Sequence, residues 1–79
     1  MNHKLTLYYF NSCPFCQDVL QFIKQKNITV SLANIHTDPN HKADLIRVGG
    51  KQQVPCLIID GNPLYESRDI IDWLHTNAG

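Results

Sequence analysis

Cys13-Pro14-Phe15-Cys16 places two thiols three residues apart within YYFNSCPFCQDVL, residues 8–20. An apolar alternating run precedes the pair and an amphipathic run follows it, so the thiols stand where a strand gives way to a helix. That spacing serves zinc binding, structural pairing or thiol–disulfide exchange. Location narrows the choice. With Cys13 at the N-cap, Pro14 takes the first helical position, where a missing N–H costs nothing. The free N–H groups and positive dipole end of the helix then surround the Cys13 sulfur and favour thiolate over thiol. Cys16, one turn on, is expected beside Cys13 but deeper. A thiol so placed would resolve a mixed disulfide on Cys13 and release the reduced product. A zinc site would need two more ligands at paired spacing, which Cys56 with His36 or His41 does not offer.

The elements that must hold this pair follow from periodicity. Leu5, Leu7 and Tyr9 alternate with Thr6, Tyr8 and Phe10, a strand covered on both faces. From Pro14 to about Lys26, Phe15, Cys16, Val19, Leu20, Phe22 and Ile23 share one helical face, against Gln17, Asp18, Gln21, Lys24 and Gln25 on the other. Ile28–Ile35 reads as a second strand. Asp38 is a good N-cap, Pro39 suits the first helical turn, and Gly49 supplies a left-handed stop for a second helix. Leu57–Asp60 is a short apolar strand, Asp60-Gly61-Asn62 a turn, and Pro63–Tyr65 a returning antiparallel strand. Ser67 caps a last helix with Ile70, Ile71, Trp73 and Leu74 as its apolar stripe. The order β-α-β-α-β-β-α predicts a right-handed parallel βαβ unit and a hairpin, hence a four-stranded mixed sheet with helices on its faces.

Two further stretches bear on chemistry. In QVPCLII, Pro55 marks a loop into a strand, and a cis Val54–Pro55 bond would expose the Val54 backbone groups for short antiparallel pairing with a bound peptide near Cys13. In YESRDI, the helix start at Ser67 has N–H groups able to hold a carboxylate, with Glu66 and Asp69 near enough to hold an ammonium group. Carboxylate and ammonium together describe an amino-acid-like end, such as the γ-glutamyl end of glutathione.

Composition excludes other classes. Seventy-nine residues make one domain, 1–79, with no linker, repeat or low-complexity segment. Seven basic and seven acidic side chains balance without blocks of either sign, which disfavours nucleic-acid binding and a membrane-surface helix. Residues 1–12 lack the features of a signal peptide, and no run approaches a membrane span of about 20 residues. A cytoplasmic location is expected, where three cysteines argue for metal or redox chemistry rather than a disulfide scaffold.

Taken together, Cys13-Pro14-Phe15-Cys16, Val54-Pro55 and Asp60-Gly61 followed by a helix start resemble a dithiol glutaredoxin of the thioredoxin-like superfamily along essentially the whole chain. The resemblance implies a three-layer α/β/α fold and glutathione-dependent reduction of protein disulfides or glutathione mixed disulfides. It implies Cys13 as nucleophile, Cys16 as resolving thiol, and a redox-active disulfide between them. Val54 would bind the cysteinyl backbone of glutathione and Ser67 its γ-glutamyl carboxylate, with Phe15, Gln53, Pro55 and Glu66 completing the site. The resemblance further implies glutathione as co-substrate with no tightly bound cofactor or metal, and a monomer acting on disulfide-containing or glutathionylated proteins.

Three departures stand out. Phe10 sits where many glutaredoxins carry a lysine, leaving Lys51 or Gln53 to meet the glycine carboxylate of glutathione. Tyr65-Glu66-Ser67-Arg68 replaces the Gly-Gly-Cys-Asp pattern and is similar to the Glu-Ser of glutathione-transferase N-terminal domains. Cys56 directly follows the proline and reads as a small strand residue. Two alternatives stay open: an electron donor reduced by thioredoxin reductase, and a module holding an iron–sulfur cluster through Cys13 and external glutathione, which Pro14 and Phe15 disfavour.

Overall fold

Alternation along the first strand sets up the layers. In a computed structural model describing residues 3–78, Leu5 and Leu7 of β1 (Leu5–Tyr9) enter one apolar cluster and Tyr8 enters another on the opposite face. Helices α1 (Pro14–Gln25) and α3 (Ser67–Asn77) cover the first face with Val19, Ile23, Ile70 and Leu74. Helix α2 (Pro39–Gly49) covers the second with Leu45, packed on Ala33, Ile35, Cys56 and Ile58. The remaining strands are β2 (Ser31–Asn34), β3 (Cys56–Ile59) and β4 (Asn62–Tyr65). The sheet order is β2-β1-β3-β4, with β1 parallel to β2 and antiparallel to β3, and β3 antiparallel to β4. This is the three-layer, four-stranded mixed arrangement expected, in the element order expected.

Local chemistry explains most boundaries. Asp60 and Gly61 both have positive φ, 50° and 91°, as a two-residue hairpin turn requires. Asp38 caps α2 by accepting from the Asn40 N–H at 2.9 Å, and Pro39 follows it. Beyond α1 and its cap Lys26, Asn27 turns the chain at φ 53°, with the Ile28 N–H reaching the Ile23 carbonyl at 3.1 Å.

That last closure corrects the second strand. Ile28–Val30 lie outside the ladder, which starts at Ser31 opposite Thr6, although Ile28 and Val30 pack on the core. The β-branched run answers to burial, not pairing. Two further boundaries move. The left-handed stop of α2 is Gly50, φ 84°, while Gly49 is the last helical residue. Helix α3 starts at Ser67 with Glu66 in the cap position and no side-chain capping bond, so Ser67 is not the cap. Among the described residues, no helix is long and apolar enough to cross a membrane.

Candidate active site

The turn after β1 delivers the first thiol. Cys13 N–H donates to the Phe10 carbonyl at 3.3 Å, closing the turn. Cys13 then has extended backbone, φ −88° and ψ 115°, and serves as the N-cap of α1 ahead of Pro14. Its Sγ accepts from the Cys16 N–H at 3.4 Å, so a helix-start donor is aimed at the sulfur. Cys13 is 7% exposed and Cys16 fully buried, the shallow-and-deep relation expected of nucleophile and resolver.

Burial pushes the Cys16 thiol up to about 12, helped by its hydrogen bond to Cys13. Cys16 is therefore a neutral thiol until a disulfide forms at Cys13. A buried acid held above its ordinary range favours the folded state below that range, and the contribution drains away as pH rises toward the folded value. Under reducing conditions, thermal stability should fall between about pH 9 and 12, with a shallower alkaline slope in Cys16→Ala. Melting temperatures across that range check this; equal slopes would contradict it.

Beside the thiols, a cleft of about 270 Å³ is lined by Phe15, Gln53, Val54, Pro55, Glu66, Ser67 and Arg68. All six residues expected to bind glutathione thus meet in one place. The two cysteines do not line the cleft themselves; Phe15, between them in sequence, does. Phe15 is 63% exposed, which removes it from the packed face of α1 and makes it an apolar wall of the cleft. Val54–Pro55 is cis, as expected, and among the described residues no backbone group pairs with the Val54 N–H or C=O. The Val54 backbone groups are thus open to pairing from the cleft.

The opposite wall is the start of α3. The N–H groups of Ser67, Arg68 and Asp69 precede the first closed helical bond, Ile70 N–H to the Glu66 carbonyl at 3.0 Å. With no side-chain cap on them, these donors suit a carboxylate. Glu66 has φ 73°, uncommon for a residue with a Cβ. It stands where the resembled pattern has glycine, and this φ accounts for that glycine. Its carboxylate accepts from Gln53 Nε2 at 3.2 Å, joining the two walls. Asp69 is not among the lining residues, and Lys51 lies with its ammonium 4.4 Å from the Tyr65 ring centre instead. Arg68 is the lining residue that sequence reasoning missed; its place after Glu-Ser was the available signal.

Other features lie apart. Phe10 stacks on His36, ring centres 4.4 Å apart. Cys56 is buried, and burial pushes its thiol up, consistent with a strand residue rather than a nucleophile. A larger hollow of about 530 Å³ lined by His3, Leu5, Asn27 and Ile28, among others, opens at the start of β1, the end opposite Cys13, and contains no cysteine. Among the described residues no three His, Cys, Asp or Glu side chains converge as a metal site would require.

Comparison with known proteins bears on the fold and the family. Residues 7–79 match the family model for the N-terminal domain of glutathione S-transferase. An uncharacterised glutaredoxin-like 8.6 kDa protein in the rubredoxin operon of Clostridium pasteurianum is 28% identical over 58 residues, 73% of this chain and 77% of that protein. Among solved structures, unclassified glutathione S-transferase 2 of Bombyx mori superposes with a TM-score of 0.84 at 20% identity, over 96% of this chain and 36% of that one. The holo form of glutaredoxin C1 from Populus tremula × tremuloides gives 0.70 at 16% identity, over 92% and 75%. At these identities the structural likenesses establish the fold. The chain spans about a third of the transferase's length.

Proposed function

Because the chain belongs to the glutathione S-transferase N-terminal domain family and is a glutaredoxin-like member of the thioredoxin superfamily, we propose that it is a glutathione-dependent thiol–disulfide oxidoreductase. The observation that carries this reading is the convergence of Phe15, Gln53, Val54, Pro55, Glu66 and Ser67 on one cleft beside a cysteine at a helix start. Glutathione is the co-substrate. Its γ-glutamyl carboxylate sits on the free N–H groups and hydroxyl of Ser67, its ammonium on Glu66, and its cysteinyl backbone on Val54.

Cys13 thiolate attacks the glutathione sulfur of a mixed disulfide. A Cys13–glutathione disulfide forms, and the substrate leaves as a thiolate that takes a proton from water. A second glutathione thiolate then attacks the sulfur of the bound glutathionyl group. Oxidised glutathione departs and Cys13 thiolate returns. With a protein disulfide the first adduct is Cys13–protein. Cys16 gives its proton to the departing protein thiolate and attacks Cys13, leaving a Cys13–Cys16 disulfide and a reduced protein. Two glutathione molecules, oxidised to one disulfide, restore the dithiol.

Turnover of a glutathione mixed disulfide with glutathione, glutathione reductase and NADPH tests the reading. NADPH consumption dependent on both protein and glutathione is expected. Turnover only when thioredoxin reductase replaces glutathione and its reductase would overturn it.

A further inference from the structure

Helix interiors disfavour glycine, yet α2 keeps Gly49 as its last helical residue, with the conformational stop left to Gly50. The reason lies 16 residues further along the chain. The Tyr65 hydroxyl donates to the Gly49 carbonyl at 2.8 Å, and a Cβ on residue 49 would overlap that hydroxyl. Two residues on, the Lys51 ammonium lies 4.4 Å from the centre of the same Tyr65 ring, within cation–π range. Two residues further, Gln53 Nε2 donates to the Glu66 carboxylate at 3.2 Å. The segment from 49 to 53 is thus pinned at three alternate residues to the adjacent pair Tyr65-Glu66. One partner of this clasp leads directly into Gln53, Val54 and Pro55, and the other directly into Glu66, Ser67 and Arg68. Those are the two facing walls of the cleft.

We propose that Tyr65 is a positioning residue for the cleft, its hydroxyl and ring holding the 49–53 segment so that Val54 and Ser67 face one ligand at a fixed separation. Tyr65 itself does not line the cleft. Its effect on the ligand passes through the backbone of residues 49–54. As a claim about ligand binding this rests on the glutathione reading; as a claim about the loop it does not.

Tyr65→Phe removes the hydroxyl and keeps the ring under Lys51. Gly49→Ala leaves every cleft residue untouched and pushes the hydroxyl off its acceptor. In both variants, amide hydrogen exchange at Gly50, whose N–H donates to the Ile46 carbonyl at 2.9 Å beside the clasped Gly49, should quicken about fivefold, the scale of one lost hydrogen bond. In the glutathione-coupled assay, KM for the mixed disulfide should rise about fivefold with kcat within about twofold, because a looser cleft weakens binding without touching the thiols. Alkylation of Cys13 by iodoacetamide, which needs no cleft wall, should be unchanged. Unaltered exchange at Gly50 overturns the proposal, as does quicker exchange with an unaltered KM. A fall in kcat and in Cys13 alkylation together also overturns it, since that pattern marks general loosening. If the wild type shows no glutathione-dependent turnover, the functional reading fails, and the exchange arm alone decides the clasp.

Discussion

Cys13→Ser should lose turnover with every disulfide substrate, by more than about a thousandfold, the scale on which removing a nucleophile acts. The expectation is specific because the fold should hardly register the change. A serine hydroxyl is a good N-cap acceptor, so the Cys16 N–H that now donates to Cys13 Sγ keeps a partner. Pro14 and the turn to the Phe10 carbonyl are untouched. What disappears is the sulfur that the helix start polarises. Neither remaining thiol can take over: Cys16 is fully buried with its thiol pushed up to about 12, and Cys56 is fully buried in β3 with its thiol pushed up as well. Melting temperature and circular dichroism close to wild type, with activity at background, is the expected pair of results. Substantial residual turnover would move the nucleophile elsewhere.

Cys16→Ser should separate the two reactions. Protein-disulfide reduction should fall on the order of a hundredfold or more, because a resolving thiol held one turn from Cys13 is replaced by a bimolecular encounter with glutathione. Deglutathionylation should stay within about a factor of two, since its second step uses external glutathione and never Cys16. Parallel assays with a disulfide-bonded protein and with a glutathione mixed disulfide check this. Equal losses in both would contradict the division of labour between the thiols.

The site was legible where its chemistry is local. A proline between two cysteines at a strand–helix junction, a Val-Pro ahead of a strand, and Asp-Gly in a hairpin each act through their own backbone, so neighbouring residues suffice to place them. What stayed hidden depends on distant partners. Gly49 looked like the helix stop because nothing near it announces Tyr65, whose hydroxyl needs the missing Cβ. Ile28–Val30 looked like strand because three consecutive apolar or β-branched residues suit either a ladder or plain burial; only the α1 closure through Asn27 decides. Phe15 looked like core by helical phase, yet it lies in the first turn of α1 and stands exposed at the cleft. Ser67 looked like a cap, but the backbone enters α3 through Glu66 at positive φ, so the helix start is left open to a ligand. Arg68 joins the cleft where β4 turns into α3, and its place directly after Glu-Ser is the local sign of it.

The central claim, that Cys13 captures a glutathionyl group in this cleft, has a direct test in the Cys16→Ser protein, where no resolving thiol can discharge the adduct. After incubation with oxidised glutathione and removal of excess reagent, intact mass and peptide mapping should show one glutathionyl group, on Cys13, released by added glutathione. No adduct, or an adduct on Cys56, would contradict the account.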